Sequence, residues 1–152
     1  EIMTKEDVLL GGEESGGIAA KGHINERDGI WMGLLIMEFM AKSGKSLNQL
    51  IQDLYDKIGP FSFDRDDLHI EDSKKWAIMD KCAAGGVTSI GGRDVIRTED
   101  LDGYKFFLSE DEWVMVRPSG TEPVLRVYAH APDRDSLKTL LANAHVSLQE
   151  GI

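Results

Sequence analysis

Cysteine is nearly absent from this chain of 152 residues: Cys82 is the single one. One thiol forms no internal disulfide, which fits a reducing compartment and leads us to expect a cytoplasmic protein. No run is long and apolar enough to span a bilayer, and no secretory signal opens the chain. Cations are scarce too, with 17 Lys and Arg against 27 Asp and Glu and a net charge of -10. That balance argues against nucleic acid or an anionic membrane as a general partner, because phosphate backbones are held by many Lys and Arg contacts. It leaves room for one small phosphorylated ligand. Internal repeats and low-complexity segments are also missing. What is present, 41% hydrophobic and 29% charged residues, is the composition of a globular protein able to bury a core. Cys82 stands in a Lys-Cys-Ala-Ala context with no His beside it, so an inert, partly buried thiol is expected rather than a nucleophile.

The apolar pattern predicts an α+β arrangement. Residues 7–10 read as a short buried strand ending on Gly11 and Gly12. Asp28 is placed to cap a broadly apolar helix that runs to Gly44, and a helix hydrophobic nearly all round is expected to be buried against a sheet. Ser46-x-x-Gln49 has capping-box form, and Leu47, Leu50, Ile51, Leu54 and Ile58 then recur at helical spacing up to Gly59 and Pro60. Residues 59–67, with Pro, Phe and acidic residues, read as a linker, so the boundary is set between residues 1–59 and 60–152. Beyond it we expect strands at 68–70, 95–97, 104–108, 113–116 and 125–131, a helix over 72–84, and a last helix over 134–149 starting at Asp133 or Asp135.

Two loops carry chemistry. Arg117-Pro-Ser-Gly-Thr-Glu-Pro joins two β-rich runs, and Arg126 lies on the returning one. Arg117 offers a planar fork for phosphate, Ser119 and Thr121 offer hydroxyls, and Gly120 lets backbone N–H groups approach a ligand. Two cations that converge in so acidic a chain make a local positive site. The plainer reading is a turn that binds nothing. Gly11-Gly-Glu-Glu-Ser-Gly-Gly is unsuited to phosphate because its two carboxylates repel it; they suit sugar hydroxyls, or they form a solvated acidic turn.

Read together, Gly12-Glu-Glu-Ser-Gly-Gly, Arg27-Asp28-Gly29 opening a helix, and Arg117-Pro-Ser-Gly-Thr-Glu-Pro closely resemble the α-D-phosphohexomutase family, most of all its phosphoglucomutase/phosphomannomutase branch. Members have four domains, and the resemblance covers all of this chain but only the C-terminal portion of such a protein. It implies that residues 1–59 are the α/β end of a third domain. Residues 60–152 would be a complete fourth domain, like the TATA-box-binding protein, with a curved antiparallel sheet and two helices. It implies interconversion of hexose 1-phosphate and hexose 6-phosphate through a phosphoserine and a hexose bisphosphate intermediate, with Mg2+. The chain departs from the family in lacking a Thr-x-Ser-His-Asn-Pro serine loop and an Asp-Gly-Asp-x-Asp-Arg metal loop. We therefore expect no metal ligand and no catalytic nucleophile in this chain, inactivity on its own, and the remaining mutase domains as partners. It opens at Glu1 without an initiator Met, as a processed chain or one that begins within a longer one would.

Carried over by motif, Glu13 and Ser15 are expected at the sugar hydroxyls. Arg117, Ser119, Gly120 and Thr121 are expected at the phosphate that is not transferred, with Arg126 supporting the loop or touching that phosphate. Arg27 stands where some relatives carry a lysine proposed to assist proton transfer; as a permanent cation it is expected to position charge rather than move protons. Glu14 receives no role, and His23 reads as a structural histidine. The reading of a different class is a free-standing sugar-phosphate-binding or regulatory module without catalysis, and the plainest is an acidic interaction domain.

Overall fold

The computed structural model describes residues 2–13 and 16–152, in two compact units, Glu1–Leu54 and Tyr55–Ile152. Among the described residues no helix is long and apolar enough to cross a membrane.

In the first unit a one-turn helix α1 (Ile2–Lys5) precedes a hairpin of β1 (Leu10–Gly12) and β2 (Ile18–Ala20), with Leu10 opposite Ala20 and Gly12 opposite Ile18. The strand expected at 7–10 thus starts three residues later and takes in the glycines, because backbone pairing with β2 is available only there. Helix α2 (Gly29–Ser43) begins at Asp28, whose carboxylate accepts from the Ile30 and Trp31 backbone N–H groups at 3.0 Å each. It ends at Gly44, left-handed at φ 66°, a conformation glycine adopts without Cβ strain. Its expected burial does not occur: no residue of α2 is buried, and Ile30 and Met37 are 82% and 66% exposed. Among the described residues of that unit the one sheet is the two-stranded hairpin, which is too small to cover a 15-residue helix. Helix α3 (Leu47–Ile58) opens on the capping box, with Gln49 Oε1 accepting from the Ser46 backbone N–H at 2.8 Å.

The second unit is built on a five-stranded antiparallel sheet in the order β3 (Ser62–His69), β9 (Val124–Ala131), β8 (Trp113–Pro118), β7 (Tyr104–Phe107), β6 (Arg97–Glu99). Helices α4 (Asp72–Ala83) and α5 (Arg134–Gln149) cover one face, and a small hairpin, β4 (Ser89–Ile90) with β5 (Arg93–Asp94), lies between α4 and β6 in the chain. Alternation on the central strands builds the core. Val114, Val116, Leu125, Val127, Ala129 and Ala131 are fully buried beneath Ile78 and Cys82 of α4 and Leu137, Leu140, Ala144 and Leu148 of α5. Burial pushes the Cys82 thiol up to about 11, so it is a small apolar core group and no nucleophile.

One stretch read as linker is structural. Residues 62–67 belong to β3, which pairs over all eight positions with β9 from Ser62 opposite Ala131 to His69 opposite Val124. A strand carrying Asp64, Arg65, Asp66 and Asp67 hides its alternation because it is an edge, where charge on the open side prevents pairing with another chain.

At α5, the Asp133 carboxylate accepts from the backbone N–H groups of Ser136 and Asp135. Chiefly the Ser136 N–H, then the Ser136 hydroxyl, hold its pKa below the ordinary 3.8. A depressed carboxylate stabilises the fold above its unfolded pKa, and that contribution is lost as pH falls through the folded value. Asp133→Ala is therefore expected to lower the thermal midpoint at neutral pH, with the gap to wild type closing in acid. A gap of constant size down to full protonation would show that the cap works without its charge.

Candidate functional site

Each unit presents one of the two loops. In the first, Glu13 donates its backbone N–H to Gly17 O at 2.9 Å and Gly16 donates back to Glu13 O at 3.0 Å, closing a tight turn beyond β1. Glu14 and Ser15 lie outside the described residues. Arg27 crosses to the turn and donates from Nη1 to Glu13 Oε1. A Cβ at Gly17 would stand 2.9 Å from Arg27 Cδ and 3.4 Å from Glu13 Oε2, so the absence of a side chain there is what lets the pair form. The Glu13 hydrogen bond is the main cause of a raised Arg27 pKa, so this guanidinium holds its proton and cannot act as a base. Glu13, Gly17, Asn25 and Arg27 line a cleft of about 210 Å³ with half-exposed carboxylate and guanidinium.

Beside it, His23 Nε2 lies 2.8 Å from Asp28 Oδ2, and its ring stacks on Trp31 at 4.5 Å between centroids. The Trp31 backbone N–H first, and His23 second, hold the Asp28 carboxylate below its usual range. His23 is thereby tied to the start of α2, with the hydrogen bond of a structural histidine.

In the second unit Arg117, on β8, stands directly opposite Arg126, on β9. Val116 and Val127 beside them are fully buried toward the helices, so alternation puts both arginines on the helix-free face. Arg117 Nη1 is 3.4 Å from Asp102 Oδ2. The Arg126 Nε is buried and has no hydrogen-bond partner among the described residues. A charged donor left unpaired next to a second guanidinium is an arrangement that an oxyanion completes.

The loop between the arginines is closed by Ser119 N–H donating to Val124 O at 2.9 Å and Val124 N–H to Glu122 O at 2.7 Å. Ser119 is buried at 4%, whereas Gly120 and Thr121 are exposed at the tip. Behind the loop lies Lys75 of α4, only 4% exposed, donating from Nζ to Ser119 O at 3.2 Å and to Glu122 O at 3.0 Å. Asp72 pairs with the same ammonium at 2.7 Å. Neither Lys75 nor Asp102 is singled out by sequence reasoning. A signal for Lys75 did exist: it falls three and seven residues before Ile78 and Cys82, on the buried stripe of α4.

Comparison with known proteins identifies the family to which the segments carrying these loops belong. Residues 1–58 match the family description phosphoglucomutase/phosphomannomutase, alpha/beta/alpha domain III, and residues 69–144 match phosphoglucomutase/phosphomannomutase, C-terminal domain. The chain is 34% identical over 152 residues to a phosphoglucosamine mutase of Methanococcus aeolicus, covering all of this chain and 32% of that protein. It is 33% identical over 143 residues to a phosphoglucomutase/phosphomannomutase of Thermococcus kodakarensis, covering 94% of this chain and 29% of that one. It thus spans about a third of the length of these relatives. Among solved structures, parafusin, a phosphoglucomutase of Paramecium, matches with a TM-score of 0.68 at 20% identity over 98% of this chain and 31% of its own. A phosphoglucomutase/phosphomannomutase family protein of Burkholderia thailandensis matches with a TM-score of 0.65 at 18% identity, over 98% of this chain and 30% of its own. A sheet that sets two arginines opposite each other at a Ser-Gly-Thr turn, and a Gly-rich turn closed by a Glu–Arg pair, therefore sit in the third-domain and C-terminal-domain segments of a chain that belongs to the phosphoglucomutase/phosphomannomutase family.

Proposed function

We propose that this chain supplies substrate recognition to a hexose-phosphate mutase, holding the phosphate that stays in place and the sugar hydroxyls while the transfer is carried out by other parts of the enzyme. The observation that supports this best is the opposed pair Arg117 and Arg126, with its unpaired Nε, at a loop whose tip is open. Two guanidinium groups give the phosphate charge-assisted bonds, and Gly120 and Thr121 add donors from the tip. The ionised Glu13 carboxylate, which can only accept, receives hydrogen bonds from sugar hydroxyls, joined by Ser15, and Arg27 fixes it in the turn. Holding the phosphate that is not transferred positions the reacting end by proximity.

Among the described residues there is no group of three or more His, Cys, Asp or Glu able to hold a metal ion. We assign the Mg2+ site, the phosphoserine and the handling of the bisphosphate to residues outside this chain, whose sequence carries neither an Asp-Gly-Asp-x-Asp-Arg loop nor a Thr-x-Ser-His-Asn-Pro loop. On this reading the chain by itself performs no transfer, and its partners are the hexose phosphate and the remaining mutase domains.

The test is Glu13→Gln in the whole mutase. The substitution keeps the shape and removes the charge that accepts sugar hydroxyls and holds Arg27. Turnover of the 1-phosphate and of the 6-phosphate is expected to fall together, by roughly 10-fold or more for each charged hydrogen bond lost. Impairment in one direction only would mean that the loop does not serve both orientations of the sugar.

A further inference from the structure

We propose that Lys75 is a positioning residue for the phosphate loop: from behind the loop it turns the Ser119–Gly120 peptide so that the Gly120 N–H faces the anion. This rests on the reading of residues 117–121 as a phosphate site. The lysine is nearly fully buried, and its ammonium reaches two carbonyls on the loop, Ser119 O at 3.2 Å and Glu122 O at 3.0 Å. The described residues include no cis peptide bond, and in a planar trans peptide the C=O and the following N–H point in opposite directions. Drawing the Ser119 carbonyl toward α4 therefore sends the Gly120 N–H to the open side. Glu122 precedes Pro123, which has no N–H, so the second bond anchors the loop without spending a donor.

Two further observations agree. Among the described residues Gly120 N–H has no intramolecular acceptor, although the loop's Ser119 and Val124 N–H groups are both used. A Cβ built at Gly120 meets nothing within 4 Å, so the tip is open to a ligand. The ammonium also polarises the peptide it binds, strengthening the N–H on the far side as a donor. Asp72, at 2.7 Å, is 68% exposed and keeps the buried cation paired from the solvent side, leaving the loop side of Lys75 to the carbonyls.

The experiment titrates the full chain with inorganic phosphate and follows backbone amides and arginine Nε groups by ¹H–¹⁵N spectroscopy, in wild type and in Lys75→Met. In wild type the Gly120 amide is expected to move downfield and its solvent exchange to slow. In Lys75→Met, with β9 amides in place, phosphate affinity is expected to fall about tenfold and the Gly120 shift to vanish. A variant with wild-type affinity and a wild-type Gly120 shift overturns the proposal. Should Lys75→Met not fold, wild type decides alone: slowed Gly120 exchange supports the proposal, whereas movement at Arg117 with Gly120 unchanged overturns it and leaves the phosphate site standing. No response anywhere in residues 117–126 removes the phosphate site and this inference with it.

Discussion

Arg117→Ala in the whole mutase is expected to raise KM for hexose phosphate by roughly 30- to 160-fold, the loss of about 2 to 3 kcal/mol from one charge-assisted pair. On the proposed reading the phosphate it holds is not the one that reacts and is bound alike in ground and transition states, so kcat is expected to change far less than KM. Stability should move the other way or not at all. In the free protein Arg117 faces Arg126 directly, a like-charge pair that is unfavourable across a sheet, and its side chain is 40% exposed. Removing it relieves repulsion at the cost of one ion pair to Asp102. Weaker substrate binding with an unchanged or raised thermal midpoint separates a recognition residue from a structural one. Unchanged kinetics would take Arg117 out of the site.

Gly103→Ala is the substitution expected to damage the second unit most, by about 3 to 5 kcal/mol, a large share of the stability of an ordinary domain. Gly103 has φ 96°, which a side chain adopts only with strain, and a Cβ there would lie 2.3 Å from Val116 O and 3.3 Å from Arg117 Cα. Neither backbone atom can move without disturbing β8. Gly92→Ala is the matched control. Its φ of 77° imposes the strain, but nothing lies within 4 Å of the added carbon, so about 1 to 2 kcal/mol is expected. Equal losses in chemical denaturation would show that the approach to Val116 does not matter. The same turn carries Asp102, so the glycine also sets where the carboxylate meets Arg117.

Local signals were enough for some elements. Helix α5 covers residues 134–149 as its leucine spacing predicts, because both its cap and its apolar face are written within one stretch. The Asp28 cap, the Gly44 stop and the Ser46–Gln49 box are equally local. Features that depend on what packs alongside were less legible. Helix α2 reads as buried yet has no buried residue, since apolar composition reports a need for a partner and not its presence. Strand β3 reads as linker because an edge strand keeps charge where a central strand keeps Val and Ile. The two loops could be found from their residue types. The opposition of Arg117 to Arg126 needed the register of β8 on β9, and the roles of Lys75 and Asp102 needed contacts across 44 and 15 positions of sequence.

On the proposed function, the turn between Arg117 and Arg126 recognises the phosphate of a hexose phosphate. The most direct test is a ¹H–¹⁵N titration of the chain with glucose 6-phosphate and, in parallel, with glucose. The sugar phosphate is expected to move the Arg117 and Arg126 Nε signals and the Gly120 and Thr121 amides together along one saturating curve, and glucose to leave them still. Equal shifts with glucose, or saturable binding that leaves residues 117–126 untouched, would contradict it.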